Sequence, residues 1–182
     1  MTNYIVLLRG INVGGHNRLS MADLRAVLSE HGYSNITTYI QSGNVLLSAD
    51  MTCNDISQHI SHLIKTHFGY NIPVVTLTLE TLQSCFQNNP YLTKEGNIKH
   101  LHVTFLDTTP LPGVVQNLNI TTAPNETYTL QQSFIYLHTP DGFAKTKFSN
   151  LQFEKKLNTV ATTRNWNTVT KLIALAQTHF SS

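Results

Sequence analysis

Residues 4–8, Tyr-Ile-Val-Leu-Leu, form an unbroken apolar run, the pattern of a short strand covered on both faces. From Met21 the period changes. Met21, Leu24, Val27 and Leu28 recur at helical spacing, with Ser20 and Asp23 placed as a capping box and Gly32 as a stop. Residues 37–41 and 44–48 read as two strands split by a turn at Ser42-Gly43. Thr52 and Asp55 open a second helix whose apolar stripe is Ile56, Ile60, Leu63, Ile64 and Phe68, closed by Gly69. Residues 73–77 supply a fourth strand, with Pro73 at its first position, where a missing N–H is tolerated. The order βαββαβ is that of the split-βαβ, ferredoxin-like unit.

The second half repeats this order. Residues 79–86 predict a linking helix capped by Thr78, and 88–97 a polar loop holding Pro90 and Gly96. A strand follows at 100–106, a short helix at 114–118, a hairpin pair at 127–131 and 134–138, a helix at 148–157 and a short strand at 159–162. A long final helix starts at Asn165 and carries Trp166, Val169, Leu172, Ile173 and Ala176 on one stripe. The expected fold class is α+β: two ferredoxin-like subdomains with antiparallel sheets, residues 1–78 and 79–182, plus a C-terminal helix over 165–180. The halves share an order of elements but no sequence repeat.

This topology has consequences for the loops. In the strand order 4-1-3-2 the first strand ends at Arg9 where the third begins, so the Ser42-Gly43-Asn44 turn lies beside the loop 9–15. Arg9, Asn12, Ser42 and Asn44 are thereby expected on one rim. In the second unit the same reasoning brings the end of the third strand, residues 139–142, near the end of the fourth, residues 162–165. Lys145, Lys147 and Arg164 are then expected to share an edge against the start of the last helix.

Composition narrows the class. Of 182 residues, 41% are hydrophobic and 12% charged, which excludes a disordered chain. No apolar run approaches the ~18 residues of a membrane span, and the first residues lack the basic start of a signal peptide. A net charge of +2 is too small for bulk nucleic-acid binding. Two cysteines, Cys53 and Cys85, form neither a CxxC nor a disulfide framework, which points to a reducing, cytoplasmic setting.

Three segments carry candidate chemistry. In Arg9-Gly10-Ile11-Asn12-Val13-Gly14-Gly15 the glycines leave backbone N–H groups open to an anion, and the following helix adds its positive end. It is neither GxGxxG nor a P-loop, and a plain glycine-rich turn is the competing reading. Gln41-Ser42-Gly43-Asn44 is an uncharged hydrogen-bonding cluster that also suits an ordinary hairpin turn. In Thr162-Thr163-Arg164-Asn165-Trp166, Thr163 or Asn165 can cap the last helix beside a guanidinium, with Lys145 and Lys147 near. The candidate ligand-binding residues are therefore Arg9, Asn12, Gly14, Gly15, Ser42, Asn44, Lys145, Thr163, Arg164 and Asn165. Nine histidines invite a metal reading, but His59, His62 and His67 have no acidic residue to complete a set. No metal and no cofactor is expected, and no nucleophile motif names a catalytic residue.

The segments 8–15, 38–44 and 161–168, together with Asn89-Pro90 and Lys145-Thr146-Lys147, resemble the bacterial domain-of-unknown-function 1697 family. The resemblance runs from Tyr4 to about Ala176 and implies two ferredoxin-like subdomains. It implies no activity. His16 and Leu19 stand where the family usually carries a lysine and a lysine or isoleucine, so the first loop is less basic here. The functional expectation is binding of a small anionic ligand, a nucleotide or phosphorylated metabolite, by polar loops at helix N-termini. The alternatives are an RNA- or DNA-binding protein, although no RNP-like pair of aromatics is evident, and a regulatory or oligomerising interaction domain. Whether the chain is an enzyme stays open at this point.

Overall fold

The computed structural model describes residues 1–92, 96–116 and 118–180. The polar loop expected over 88–97 therefore contains three residues, 93–95, that lie outside the described residues, and the short helix expected over 114–118 contains one, 117. The chain divides into two compact units. One comprises residues 1–83 and 172–182, the other residues 84–171.

In the first unit the strands are β1 (Thr2–Leu8), β2 (Ser34–Tyr39), β3 (Asn44–Ala49) and β4 (Val74–Thr78), with helices α1 (Met21–Glu30) and α2 (Cys53–Phe68). The sheet order is β2-β3-β1-β4, every pair antiparallel, as the split-βαβ topology requires. Tyr4, Val6 and Leu8 face a core that includes Leu24 and Leu28 of α1 and Ile56, Ile60 and Ile64 of α2. Ile5 and Leu7, on the other face, are also fully buried, so the apolar run of β1 is a central strand covered on both sides. Each such side chain contributes roughly 1.5–3 kcal/mol by leaving water. The helix signals act as read: Ser20 Oγ accepts from the Asp23 N–H (3.3 Å) and Thr52 Oγ1 from that of Asp55 (3.2 Å). Gly69 ends α2 in the left-handed conformation, φ 76°.

β2 departs from its expected span. It ends at Tyr39, because Ile40 takes φ 51° and leaves the extended region. A β-branched side chain rarely adopts that backbone.

In the second unit β5 (Leu101–Leu106), β6 (Thr127–Gln131), β7 (Phe134–His138) and β8 (Ala161–Asn165) form an antiparallel sheet ordered β6-β7-β5-β8. Helix α3 (Leu79–Gln87) precedes it, α4 (Pro112–Gln116) and α5 (Asn150–Leu157) are its crossover helices, and α6 (Trp166–Phe180) follows. The division between the units falls within α3 and α6. Leu106, Ile135, Leu137 and Ala161 pack against Phe148, Phe153 and Leu157. On the other face Tyr136 donates to the Cys85 carbonyl (3.0 Å), and Phe86 stacks on Trp166.

The last strand is displaced from its expected position. It runs over Ala161–Asn165, not 159–162, and α6 begins directly after it with Asn165 Oδ1 accepting from the Thr168 N–H (2.8 Å). Thr163 and Arg164 are therefore strand residues, and side-chain alternation, not a loop, decides where they point.

Candidate functional site

The segment between β1 and α1 is held in shape by asparagines and glycines. Gly10, Asn12, Gly14, Gly15 and Asn17 all have positive φ, between 46° and 81°, a region that asparagine tolerates better than other non-glycine residues. Asn12 uses its whole amide internally. Its Nδ2 donates to the carbonyls of Leu19 (2.9 Å) and Gln41 (2.8 Å), and its Oδ1 accepts from the Leu19 N–H (2.9 Å). Asn17 Nδ2 donates to the Gly10 carbonyl (2.9 Å).

The turn after β2 is drawn onto this loop. The Leu8 N–H donates to the Gly43 carbonyl (2.8 Å), and a Cβ on Gly43 would stand 2.7 Å from Leu8 Cβ and 2.8 Å from Ile11 Cδ1. Only glycine permits that approach. Asn44 is fully buried and donates to the Tyr39 carbonyl and to Ser42 Oγ. The structure thus brings Asn12, Ser42 and Asn44 together, with Arg9 at the adjoining end of β1. The amides of Asn12 and Asn44 are engaged in holding the turn and the loop.

Beside this scaffold lie two adjoining hollows. One, of about 580 Å³, is lined by Asn12, Gly15, Arg18, Leu19, Ser20 and Gln41. The other, of about 530 Å³, is lined by Ser20, Met21, Ala22, Arg25, Thr38, Ile40 and Gln41. Ser20 and Gln41 belong to both, so the hollows adjoin as two lobes of a cleft across the start of α1. Arg18 is exposed. Half-buried Arg25 donates from Nη1 to Thr38 Oγ1 at 2.6 Å, which fixes its fork at the wall. Among the described residues neither arginine is paired with a carboxylate.

Arg18, Ser20 and Arg25 were not among the candidates from sequence, and Gln41 entered only as part of the segment 41–44, yet a signal existed. Three of the four arginines of the chain stand at 9, 18 and 25, whereas all eight lysines lie at or beyond residue 65.

The second candidate cluster is distributed differently. Thr163 Oγ1 bonds Thr104 Oγ1 and Asn150 Oδ1, both at 2.7 Å, on the α5 side of the sheet. Arg164 lies on the opposite face. It is paired in register with Val103, and its Nη1 donates to Thr162 Oγ1 and to the Thr163 carbonyl, both at 2.9 Å. Burial pushes its pKa down to about 10. Exposed Lys145 ends a 3-10 turn, Phe143–Lys145, whose Phe143 stacks on His102 at 4.5 Å. His102 shares its face with Thr104, so that turn sits on the α5 side. The structure does not bring Arg164 and Lys145 onto one face, and Asn165 serves as the cap of α6.

Other titratable groups have internal explanations. Burial pushes the Cys85 thiol up to about 12. His59 bonds the Tyr33 hydroxyl through Nδ1 (3.0 Å) and lies 6.1 Å from the His31 ring; desolvation, then His31 and His62, hold its pKa below the ordinary value. Among the described residues no group of three or more His, Cys, Asp or Glu side chains is placed to hold a metal ion, and no helix is long and apolar enough to cross a membrane.

This fold and these loops belong to a family defined by sequence. The profile of the family described as protein of unknown function (DUF1697) matches residues 1–136, and the chain is a member of it. The matched region contains the loop 9–20, the turn 40–43 and the whole cleft. The chain is also similar to the solved structure of the conserved bacterial protein SP0830 from Streptococcus pneumoniae. The identity is 22% and the TM-score 0.68, over 96% of this chain and 98% of that one. This similarity shows the shared fold. No curated protein matches the chain.

Proposed function

We propose that the protein binds a small anionic ligand, a phosphorylated metabolite, in the cleft at the start of α1. The supporting observation is the pair Arg18 and Arg25 on the walls of one open cleft whose middle is formed by Ser20 and Gln41. Guanidinium groups recognise phosphate and carboxylate oxygens through paired N–H donors, which a lysine cannot reproduce. The start of α1 adds the positive end of its helix dipole, offset in part by the Asp23 carboxylate of the first turn. No aromatic side chain stands among the lining residues named above, so the cleft offers no stacking platform for a base. That favours a phosphorylated metabolite over a nucleotide.

In this reading Asn12, Ser42 and Asn44 shape the cleft, while Arg9, Gly14 and Gly15 belong to the loop that borders it. The test is thermal denaturation with inorganic phosphate, sugar phosphates and nucleotides. A ligand at 100 times its Kd stabilises by about 2.7 kcal/mol, a rise of roughly 5–11 °C for a chain of this size. Phosphate esters are expected to raise the Tm, and removing both guanidiniums, Arg18→Gln together with Arg25→Gln, is expected to abolish the rise. No rise with any phosphate ester overturns the proposal.

A further inference from the structure

The cleft has two lobes, and each has its own arginine. Arg18 lines the lobe with Gly15 and Leu19 but not the other; Arg25 lines the lobe with Thr38 and Ile40 but not the first. The two guanidiniums have different neighbours. A terminal nitrogen of Arg18 lies 4.0 Å from the position a Cβ on Gly15 would take. Arg25 reaches Thr38 on β2. Between them the shared floor is uncharged: Ser20, whose hydroxyl accepts the Asp23 N–H, and Gln41, whose carbonyl holds Asn12. Five residues of helix from Ser20 to Arg25 rise about 7.5 Å. Arg18 leaves the backbone two residues before that stretch. Each lobe thus holds one guanidinium with its own neighbour, Gly15 for Arg18 and Thr38 for Arg25.

Building on the anion-binding reading above, we propose that the ligand carries two separated anionic groups, one for Arg18 and one for Arg25, joined by an uncharged polar or aliphatic spacer that crosses Ser20 and Gln41. A bisphosphate, or a phosphate with a distant carboxylate, has this chemistry. Once one end is bound, the second binds at the high effective concentration set by the spacer. Its length therefore controls affinity.

The test is calorimetric titration of the full chain with a series of alkane-α,ω-bisphosphates of increasing length, with propyl phosphate as the single-ended control. The expected result is an affinity maximum at one intermediate spacer length, roughly 100-fold or more above propyl phosphate. Arg18→Gln and Arg25→Gln should each reduce the best bisphosphate to the level of the monoester, and the double variant should lose the monoester as well. An unchanged melting curve without ligand shows that Arg25→Gln still folds. Equal affinity for mono- and bisphosphates, or no dependence on spacer length, overturns the two-ended ligand and leaves single-anion binding standing. Absence of binding by every phosphate overturns both.

Discussion

Replacing Asn12 by glycine separates the shape of the first loop from the bonds that hold it. Glycine accepts φ 53° without strain, so the backbone conformation is kept and only the amide is lost. Three hydrogen bonds disappear, two to Leu19 and one to Gln41. Leu19 is 2% exposed, so water cannot fully replace its partners. At about 0.5–1.5 kcal/mol for each bond, with the exposed one to Gln41 at the low end, the loss is about 1.5–3.5 kcal/mol. Asn12→Asp is the sharper companion. It keeps an acceptor for the Leu19 N–H but sets a carboxylate oxygen against two carbonyl oxygens, and should cost more than glycine. Urea denaturation followed by circular dichroism measures both. A loss below 0.5 kcal/mol for Asn12→Gly, or an aspartate variant more stable than the glycine one, would refute the assignment of Asn12 as the staple between loop and turn.

Gly43→Ala should destabilise by about 2–5 kcal/mol in the same assay, from the left-handed backbone and from a Cβ driven into Leu8, whose own Cβ cannot rotate away. Stability should also depend on pH through His59. Its folded pKa lies below the ordinary 6.5 because of burial, then His31 and His62, so the unfolded chain takes up the proton first. The His59 contribution should therefore be flat above neutrality, fall as pH drops through 6.5 and level off below the folded pKa. Melting curves of the wild type and of His59→Gln from pH 8 to 5 should show a smaller decline in the variant, and parallel declines would contradict it.

Most of the architecture is legible in the sequence because it follows local rules. The apolar run of β1, the stripes of α1 and α2, and the caps at Ser20, Thr52, Thr78 and Asn165 each carry their signal within a few residues. Two features escape such rules. β8 continues through Thr163 and Arg164 because pairing with Thr104 and Val103, sixty residues away, extends it to the cap of α6. That pairing fixes Arg164 to the face opposite the turn bearing Lys145. The cleft was hidden for a related reason. It depends on Asn12 joining Leu19 to Gln41 and on Gly43 admitting Leu8 and Ile11, contacts with no periodic trace. Arg25, read along the chain, is one more polar residue on an amphipathic helix.

The most direct test of the account is a phosphate titration followed by the backbone amide resonances of the ¹⁵N-labelled protein. Binding in the cleft predicts saturable shifts at Gly15, Arg18, Ser20, Met21 and Gln41, with the resonances of 143–147 and 163–165 unmoved. Shifts confined to those latter segments, or none at the start of α1, would contradict it.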